Sequence, residues 1–378
     1  LDSSQENAEK GKSYSAKLLD KAISRGKSTE EKKAGLLDKI KITTDFADLK
    51  DCDMVIEAVF EDRAIKAEVT EKTEAVISSD CIFASNTSTL PITGLAQAFS
   101  KPEHFIGLHF FSPVDKMDLV EIILGEKTGD KALAVAMDYV ARIRKTPIVV
   151  NDSRGFYTSR CFGTYLSEGI RMLSEGIKPA LIENAGKMIG MPVAPLAIND
   201  EVSLQLTYTI AKTTEKDLGD DFKRSADNQL VKDMVETHGR LGKKVGKGFY
   251  EYPEGGRKHL WPGLSELVAP ATGQPAVEEV KKRLLYIQAL ATAQCFEENV
   301  VTDVRDADVG AIMGWGFAPY TGGPLSLIDT IGTAQFVAEC EQLAQQYGSR
   351  FKPCALLREM AENDEKFYVR FNPKKSAA

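Results

Sequence analysis

The sequence predicts an α/β domain followed by an all-helical region built from two related copies. Three observations carry this reading. Short β-rich runs alternate with helical patterns as far as Asp152, long helical patterns replace them beyond it, and two helical blocks share residues at matching spacing.

Length and composition set the bounds. A chain of 378 residues has room for two or three domains. Lys and Arg total 48 against 55 Asp and Glu, for a net charge of −7, so the broad basic surface of a non-specific nucleic-acid binder is missing. The six cysteines, Cys52, Cys81, Cys161, Cys295, Cys340 and Cys354, have no C-x-x-C spacing and read as buried thiols of a reducing compartment. No apolar run is long enough for a membrane span, and the first thirty residues are too polar for a signal peptide. The expectation is a soluble cytosolic protein with neither a nucleic-acid partner nor a membrane span.

The first forty residues predict two helices. Ala8 to Ser24 carries apolar residues at helical spacing, and Thr29 with Glu30 and Glu31 starts a second helix ending near Ile40. Strand-like runs follow at DMVIEAVF (53–60), CIFAS (81–85), FIGLHFF (105–111), LVEIIL (119–124) and PIVVN (147–151), with helical patterns over 63–77 and 130–143 between some of them. Strands alternating with helices predict a largely parallel sheet. Past Asp152, helices are expected over Phe156–Met172, Ala180–Ile189 and Val202–Thr214. The breaker-rich stretch YPEGGRKHLWPGLSELVAPATGQPA (252–276) precedes a further helical block from Val277. The expected domains are therefore 1–151, 152–253 and 277–378, with a linker over 254–276.

The two helical blocks are related. Arg160 with Glu175 and Arg283 with Glu298 share a spacing of fifteen, and PLAIND (195–200) pairs with PLSLID (324–329). The offset drifts from 123 to 129, so the second copy needs only a few inserted residues. Duplication predicts two all-α domains packed as a pseudo-dimer within one chain. Chance similarity of helical sequence is the alternative.

Only four histidines exist, and three of them sit in polar or breaker-rich surroundings without metal-ligand spacing. His109 lies inside the apolar run FIGLHFF, just before a strand exit of the kind where active-site residues of α/β sheets emerge. Glu121 lies in a second apolar run, LVEIIL, where an unpaired carboxylate is costly. A carboxylate facing one imidazole nitrogen would fix the tautomer and hold the ring as a base. A structural pair, or a neutral histidine satisfied by a backbone carbonyl, is the other reading. SNTSTL (85–90) and Glu61, Asp62, Arg63 and Lys66 follow strand-like runs. By themselves they are also compatible with a helix cap and a solvated helix start.

Taken together, EAVFEDRAIK, FASNTSTLPITGL, FIGLHFFSPVDKMDLVEII and PIVVNDSRGF, in this order, resemble the L-3-hydroxyacyl-CoA dehydrogenases of fatty-acid β-oxidation. The duplicated helical region and GKKVGKGFYEY are similar to the dehydrogenase half of the bacterial and peroxisomal multifunctional enzymes. The resemblance implies a Rossmann-like dinucleotide-binding domain, NAD as cofactor and an acyl-CoA substrate. It implies His109 as catalytic base, Glu121 as its carboxylate partner and Ser88 as the serine that hydrogen-bonds the substrate oxygen. Asn86, Glu61 and Lys66 match positions lining the NAD site. Ser112 and Ser159 stand where simpler members have Asn; both offer a hydroxyl to the substrate.

A dinucleotide fold opens with a strand, a G-x-G-x-x-G turn and a helix, and the chain carries no such segment. Asp2 falls where the family's acidic residue binds the adenosine ribose hydroxyls, which favours NAD over NADP. The resemblance thus implies a Rossmann-like domain incomplete at its N-terminus, starting within the second strand, and weak NAD binding by these residues alone. The multifunctional branch implies a covalently linked enoyl-CoA hydratase domain and a thiolase subunit as partners. The alternative is a non-catalytic assembly module for such partners, against which the His109 and Glu121 pair speaks.

Overall fold

A computed structural model describes residues 1–219 and 225–371 and divides into two compact units. The first comprises Leu1–Leu108 and Gly125–Val135, the second His109–Leu124 and Ala136–Ala378.

The first unit opens with α1 (Gln5–Ser24) and α2 (Glu30–Leu37). Ser4 accepts a hydrogen bond from the Asn7 amide at 3.2 Å, and Thr29 accepts one from Lys32 at 3.3 Å. These caps explain both starts; α1 begins ahead of its apolar periodicity because Ser4 supplies the cap. Then come β1 (Met54–Glu57), α3 (Arg63–Glu74), β2 (Ile82–Ser85), the short α4 (Ile92–Leu95) and β3 (Phe105–Phe110). The three strands are parallel, in register at Met54↔Ile82 and Phe83↔Phe105. Every residue of β2 is buried, as a continuous apolar run in a covered parallel sheet should be. β1 is shorter than the run over 53–60. The Glu57 carboxylate accepts the Val59 amide at 3.1 Å, bending the chain out of the ladder, and Asp62 then caps α3 through the amides of Ala64 and Ile65.

β3 and α5 (Asp130–Arg142) each cross the division between the units. The second unit holds the parallel pair β4 (Leu119–Leu124) and β5 (Thr146–Asn151), in register at Leu119↔Thr146. Its helices begin with α6 (Thr158–Ser174), α7 (Pro179–Met188), α8 (Pro195–Val202), α9 (Leu204–Leu218) and α10 (Ala226–Lys232). A two-stranded antiparallel ribbon, β6 (Tyr250–Glu251) with β7 (His259–Leu260), and α11 (Leu264–Leu267) follow, so the stretch 254–276 is structured rather than bare linker. Trp261 within it lies under the Arg240 guanidinium, 4.0 Å from the ring centre. Then come α12 (Val277–Glu297), α13 (Val304–Trp315), α14 (Pro324–Ile331), α15 (Thr333–Tyr347), α16 (Ala355–Glu362) and α17 (Phe367–Arg370). α13 packs on β4 and β5, which groups those strands with the helices. Among the described residues no helix is long and apolar enough to cross a membrane.

The helix expected over Val202–Thr214 forms as α9 but starts two residues later, at Leu204. Ser203 has φ +92° and separates α8 from α9, and Gly332 with φ +93° separates α14 from α15 in the same way. The duplication therefore extends to a left-handed joint, glycine in one copy and serine in the other. It extends to polar anchors as well. Glu183 accepts the Leu196 amide and the Tyr250 hydroxyl; Asp308 accepts the Leu325 amide and the Tyr368 hydroxyl. Asp200 accepts the amides of Phe249 and Tyr250, as Asp329 accepts those of Phe367 and Tyr368. Burial pushes all four carboxyls up.

The arginines show how the copies associate. Arg160, near the start of α6, pairs with Glu298 just beyond α12, while Arg283, near the start of α12, pairs with Glu175 just beyond α6 at 2.6 Å. Each arginine thus reaches the other copy's glutamate, so the two helices cross antiparallel, as the reciprocal contacts of a two-fold interface require. The free thiols of Cys161 and Cys295 lie buried between them, 3.9 Å apart.

Asp200 makes one part of this scaffold pH-dependent. Burial pushes its carboxyl up to about 6, against the Phe249 and Tyr250 amides and the Tyr252 hydroxyl, which favour the ionised form. A carboxyl raised on folding holds more protons in the folded chain, so its contribution falls as pH rises from about 4 through about 6. Relative to Asp200→Asn, the parent should lose on the order of 3 kcal/mol between about pH 4 and about pH 7. Denaturant melts of both proteins across that range check this; a stability difference that stays flat contradicts it.

Candidate active site

His109 is the next-to-last residue of β3, buried up to the point where the chain leaves the strand, and Glu121 is the third residue of β4 with no exposed surface. His109 Nδ1 lies 2.9 Å from Glu121 Oε2. The carboxylate has three further donors. The amides of Tyr157 and Thr158 each reach Oε1 at 3.0 Å, and the Thr158 hydroxyl donates to Oε2 at 2.6 Å.

Those donors belong to the start of α6, which has no capping side chain of its own. A strand carboxylate takes the place of the cap, and the helix N-terminus, with its unsatisfied N–H groups and positive dipole end, stabilises the buried charge. The turn that aims the two amides is left-handed at Gly155 (φ +75°) and Phe156 (φ +48°). For a bulky residue this conformation costs about 1–3 kcal/mol. Complete burial of the Phe156 ring, 6.3 Å from the His109 ring centre, offsets it. With Nδ1–H donating to Glu121, Nε2 carries the lone pair of the neutral ring. The Phe111 ring lies beside the imidazole at 4.4 Å. Ser159 is half-buried next to Thr158, and Ser112 is exposed just beyond β3.

The first unit gathers a second group at the carboxyl ends of β1 and β2. Glu61 accepts the Ser88 and Thr89 amides at 3.0 Å each and the hydroxyls of Thr87 at 2.7 Å and Thr89 at 3.0 Å. Burial works to raise its carboxyl, but these donors together with Lys66 hold it below its usual value. Ser88 is half-buried in this loop, and the Asn86 amide donates to the Glu57 carbonyl at 2.9 Å. Asp2 is exposed, its amide donating to the Thr43 carbonyl at 3.2 Å. Lys66 differs from its expected place at a cofactor surface. It is 2 % exposed, and its ammonium donates to both Glu57 oxygens at 3.0 Å, with Glu61 at 3.5 Å and Ser85 also bonded to Glu57.

Sequence reasoning missed Tyr157, Thr158 and the Glu57–Ser85 pair. The signal for the first two was available: a carboxylate in an apolar strand needs more donors than one imidazole, and SRGFYT follows the last strand. An open cleft of about 580 Å³ near Glu175, Gln274 and Tyr347 contains none of the expected site residues.

Residues 1–153 match the 3-hydroxyacyl-CoA dehydrogenase NAD binding domain, and residues 155–252 match the 3-hydroxyacyl-CoA dehydrogenase C-terminal domain. An (S)-3-hydroxybutyryl-CoA dehydrogenase from Ralstonia eutropha is 35% identical, with a TM-score of 0.62 over 67% of this chain and 89% of that one. The chain belongs to the 3-hydroxyacyl-CoA dehydrogenase family. A fatty acid oxidation complex subunit alpha from Shewanella amazonensis is 40% identical over 94% of this chain and 50% of its own length. The chain thus spans about half the length of the curated relatives it matches. A 3-hydroxybutyryl-CoA dehydrogenase from Escherichia coli, 22% identical, shares the fold with a TM-score of 0.80 over 96% of this chain and 92% of that one.

The first unit of this family member fits a dinucleotide by its place and chemistry. Open α/β sheets bind ligands beyond the carboxyl ends of parallel strands, which is where Glu61, Asn86 and Ser88 stand. Phe60 is 82 % exposed at the same strand end and offers apolar surface there.

Proposed function

We propose that the protein oxidises the 3-hydroxyl of an L-3-hydroxyacyl-CoA to the ketone with NAD⁺. The observation that carries this reading is the buried Glu121 carboxylate, which orients His109 and is itself fully supplied with donors. His109 Nε2 takes the hydroxyl proton as the C3 hydrogen leaves as hydride, and Glu121 stabilises the imidazolium that forms. NAD⁺, when bound, accepts that hydride. Ser88 orients the hydroxyl, and Ser112 and Ser159 supply contacts to the rest of the substrate. Asp2, Glu61 and Asn86 hold the dinucleotide, and Lys66 supports Glu61 from below.

The extents of the two family matches support an NAD-binding domain over 1–151 and a first helical domain over 152–253; the repeated anchors at Asp308 and Asp329 support a second helical domain over 277–378, joined through 254–276. The relatives named as fatty acid oxidation complex alpha subunits support a cytoplasmic setting. Their name supports membership of a larger complex, for which we propose an enoyl-CoA hydratase domain and a thiolase as partners. Following NADH absorbance with L- and D-3-hydroxyacyl-CoA of several chain lengths tests the function. At saturating NAD⁺, which offsets weak cofactor binding, NADH should form with the L isomer alone, whereas no turnover of any L substrate overturns the reading.

A further inference from the structure

The turn that holds Glu121 is braced from outside by the second helical copy. Tyr157, whose amide donates to Glu121, is fully buried, and its hydroxyl donates to the Ala307 carbonyl of α13 at 2.7 Å. Its ring meets Trp315, at the end of α13, edge-on at 5.5 Å. Trp315 is pinned in turn by its indole N–H, which donates to Gln288 of α12 at 2.9 Å. Between these two contacts α13 presents Gly310 and Gly314. A Cβ on Gly310 would come within 2.7 Å of Ile148 and 3.2 Å of the Tyr157 ring. A Cβ on Gly314 would stand 3.0 Å from Leu119, 3.4 Å from the Thr158 methyl and 3.8 Å from the Phe111 ring.

Ordinary helix packing accounts for close contact, but not for where this contact falls. The residues that α13 bears upon include both whose amides hold Glu121, and Phe111, which lies against the His109 ring. We propose that α13 of the second copy is a positioning element for the His109–Glu121 pair, acting through Gly310, Gly314 and Trp315 on the Tyr157–Thr158 turn. The proposal rests on the reading of His109 as the base. It gives the duplicated copy a task beyond closing the core: it sets the direction in which Glu121 holds the imidazole. A shift of a few tenths of an ångström in the turn passes to the carboxylate through two short amide contacts, and such misplacements are felt strongly in rate.

Two variants test this. Gly314→Ala adds one methyl group against side chains that can yield, and Tyr157→Phe keeps ring and amide while cutting the tie to Ala307. Each is read in two ways on the whole protein: by the carbon–proton NMR signal of the His109 ring across pH without cofactor or substrate, and by kcat and KM with NAD⁺ and an L-3-hydroxyacyl-CoA. The expected result for both is a displaced His109 signal and kcat lowered about tenfold or more, with KM for the acyl-CoA changed less than about twofold. Should Gly314→Ala fail to fold, Tyr157→Phe decides alone. A parent-like His109 signal and kcat in the folded variants overturn the proposal. Failure of the underlying reading looks different, because His109→Gln would then keep its activity whatever the two variants do.

Discussion

Replacing His109 by Gln should lower kcat by roughly 10²–10⁴-fold, the usual contribution of a positioned general base, while the affinity for NAD changes little. Gln preserves a polar side chain of similar reach at the end of β3 but has no group that can take a proton at neutral pH. The lost interaction belongs to the transition state, so kcat and kcat/KM should fall together. Glu121 remains held by the amides of Tyr157 and Thr158 and by the Thr158 hydroxyl, so the carboxylate is not left bare and the fold should survive. Steady-state rates with NADH titration of the same preparation check both halves of the statement. A kcat within about tenfold of the parent removes His109 from the chemistry.

The second large effect concerns stability and exploits the duplication. Arg283 has no exposed surface and contacts Glu168 at 2.5 Å and Glu175 at 2.6 Å, and its guanidinium lies 3.9 Å from the centre of the Tyr347 ring. Arg350 shares the same two carboxylates, at 2.6 and 3.2 Å. The counterpart of Arg283 in the other copy, Arg160, pairs with Glu298 where the two side chains are 28% and 40% exposed. Arg283→Met leaves buried Glu168 short of a partner and should cost about 3 kcal/mol, the low end for a broken buried pair because Arg350 remains. Arg160→Met removes a solvent-screened pair and should cost less than about 1 kcal/mol. Denaturant midpoints of the two variants at unchanged slope compare them directly. Equal losses would mean that burial does not distinguish the related pairs.

Much of the fold was legible because its periodicities are strong. The apolar runs ending at Ser85 and Leu124 are covered strands, the run ending at Asn151 is a strand buried only at Ile148 and Val150, and Thr29 announced α2 through a cap that the structure contains. The duplication was readable from Arg160, Glu175, Arg283 and Glu298, but not the exchange of partners between copies. Equal spacing within two helices says nothing of which helix each arginine faces. The break at Ser203 was hidden because serine carries no left-handed signal, whereas Gly332 at the related joint does. In the candidate site, the contact of His109 with Glu121 could be read because each is a polar residue in an otherwise apolar strand, and each needs a partner. The remaining donors were not readable. Two of them are backbone amides, which are the same for every residue type, and are placed by the left-handed turn at Gly155 and Phe156. Lys66 was misplaced for a related reason: sequence puts it on a polar helix start, while burial turns its ammonium inward to Glu57.

The claim that Glu121 works through His109 can be put to one measurement, a double-mutant cycle on log kcat with His109→Gln, Glu121→Gln and the pair together. Gln at 121 can still accept the Tyr157 and Thr158 amides, but its NH2 then faces His109 Nδ1, so the substitution removes both the charge that supports the imidazolium and the acceptor that fixes the tautomer. If the two residues form one unit, the double variant should be no slower than His109→Gln alone, because a supporting charge has nothing left to support. Effects of the two substitutions that simply add would contradict this account and assign Glu121 a role independent of the histidine.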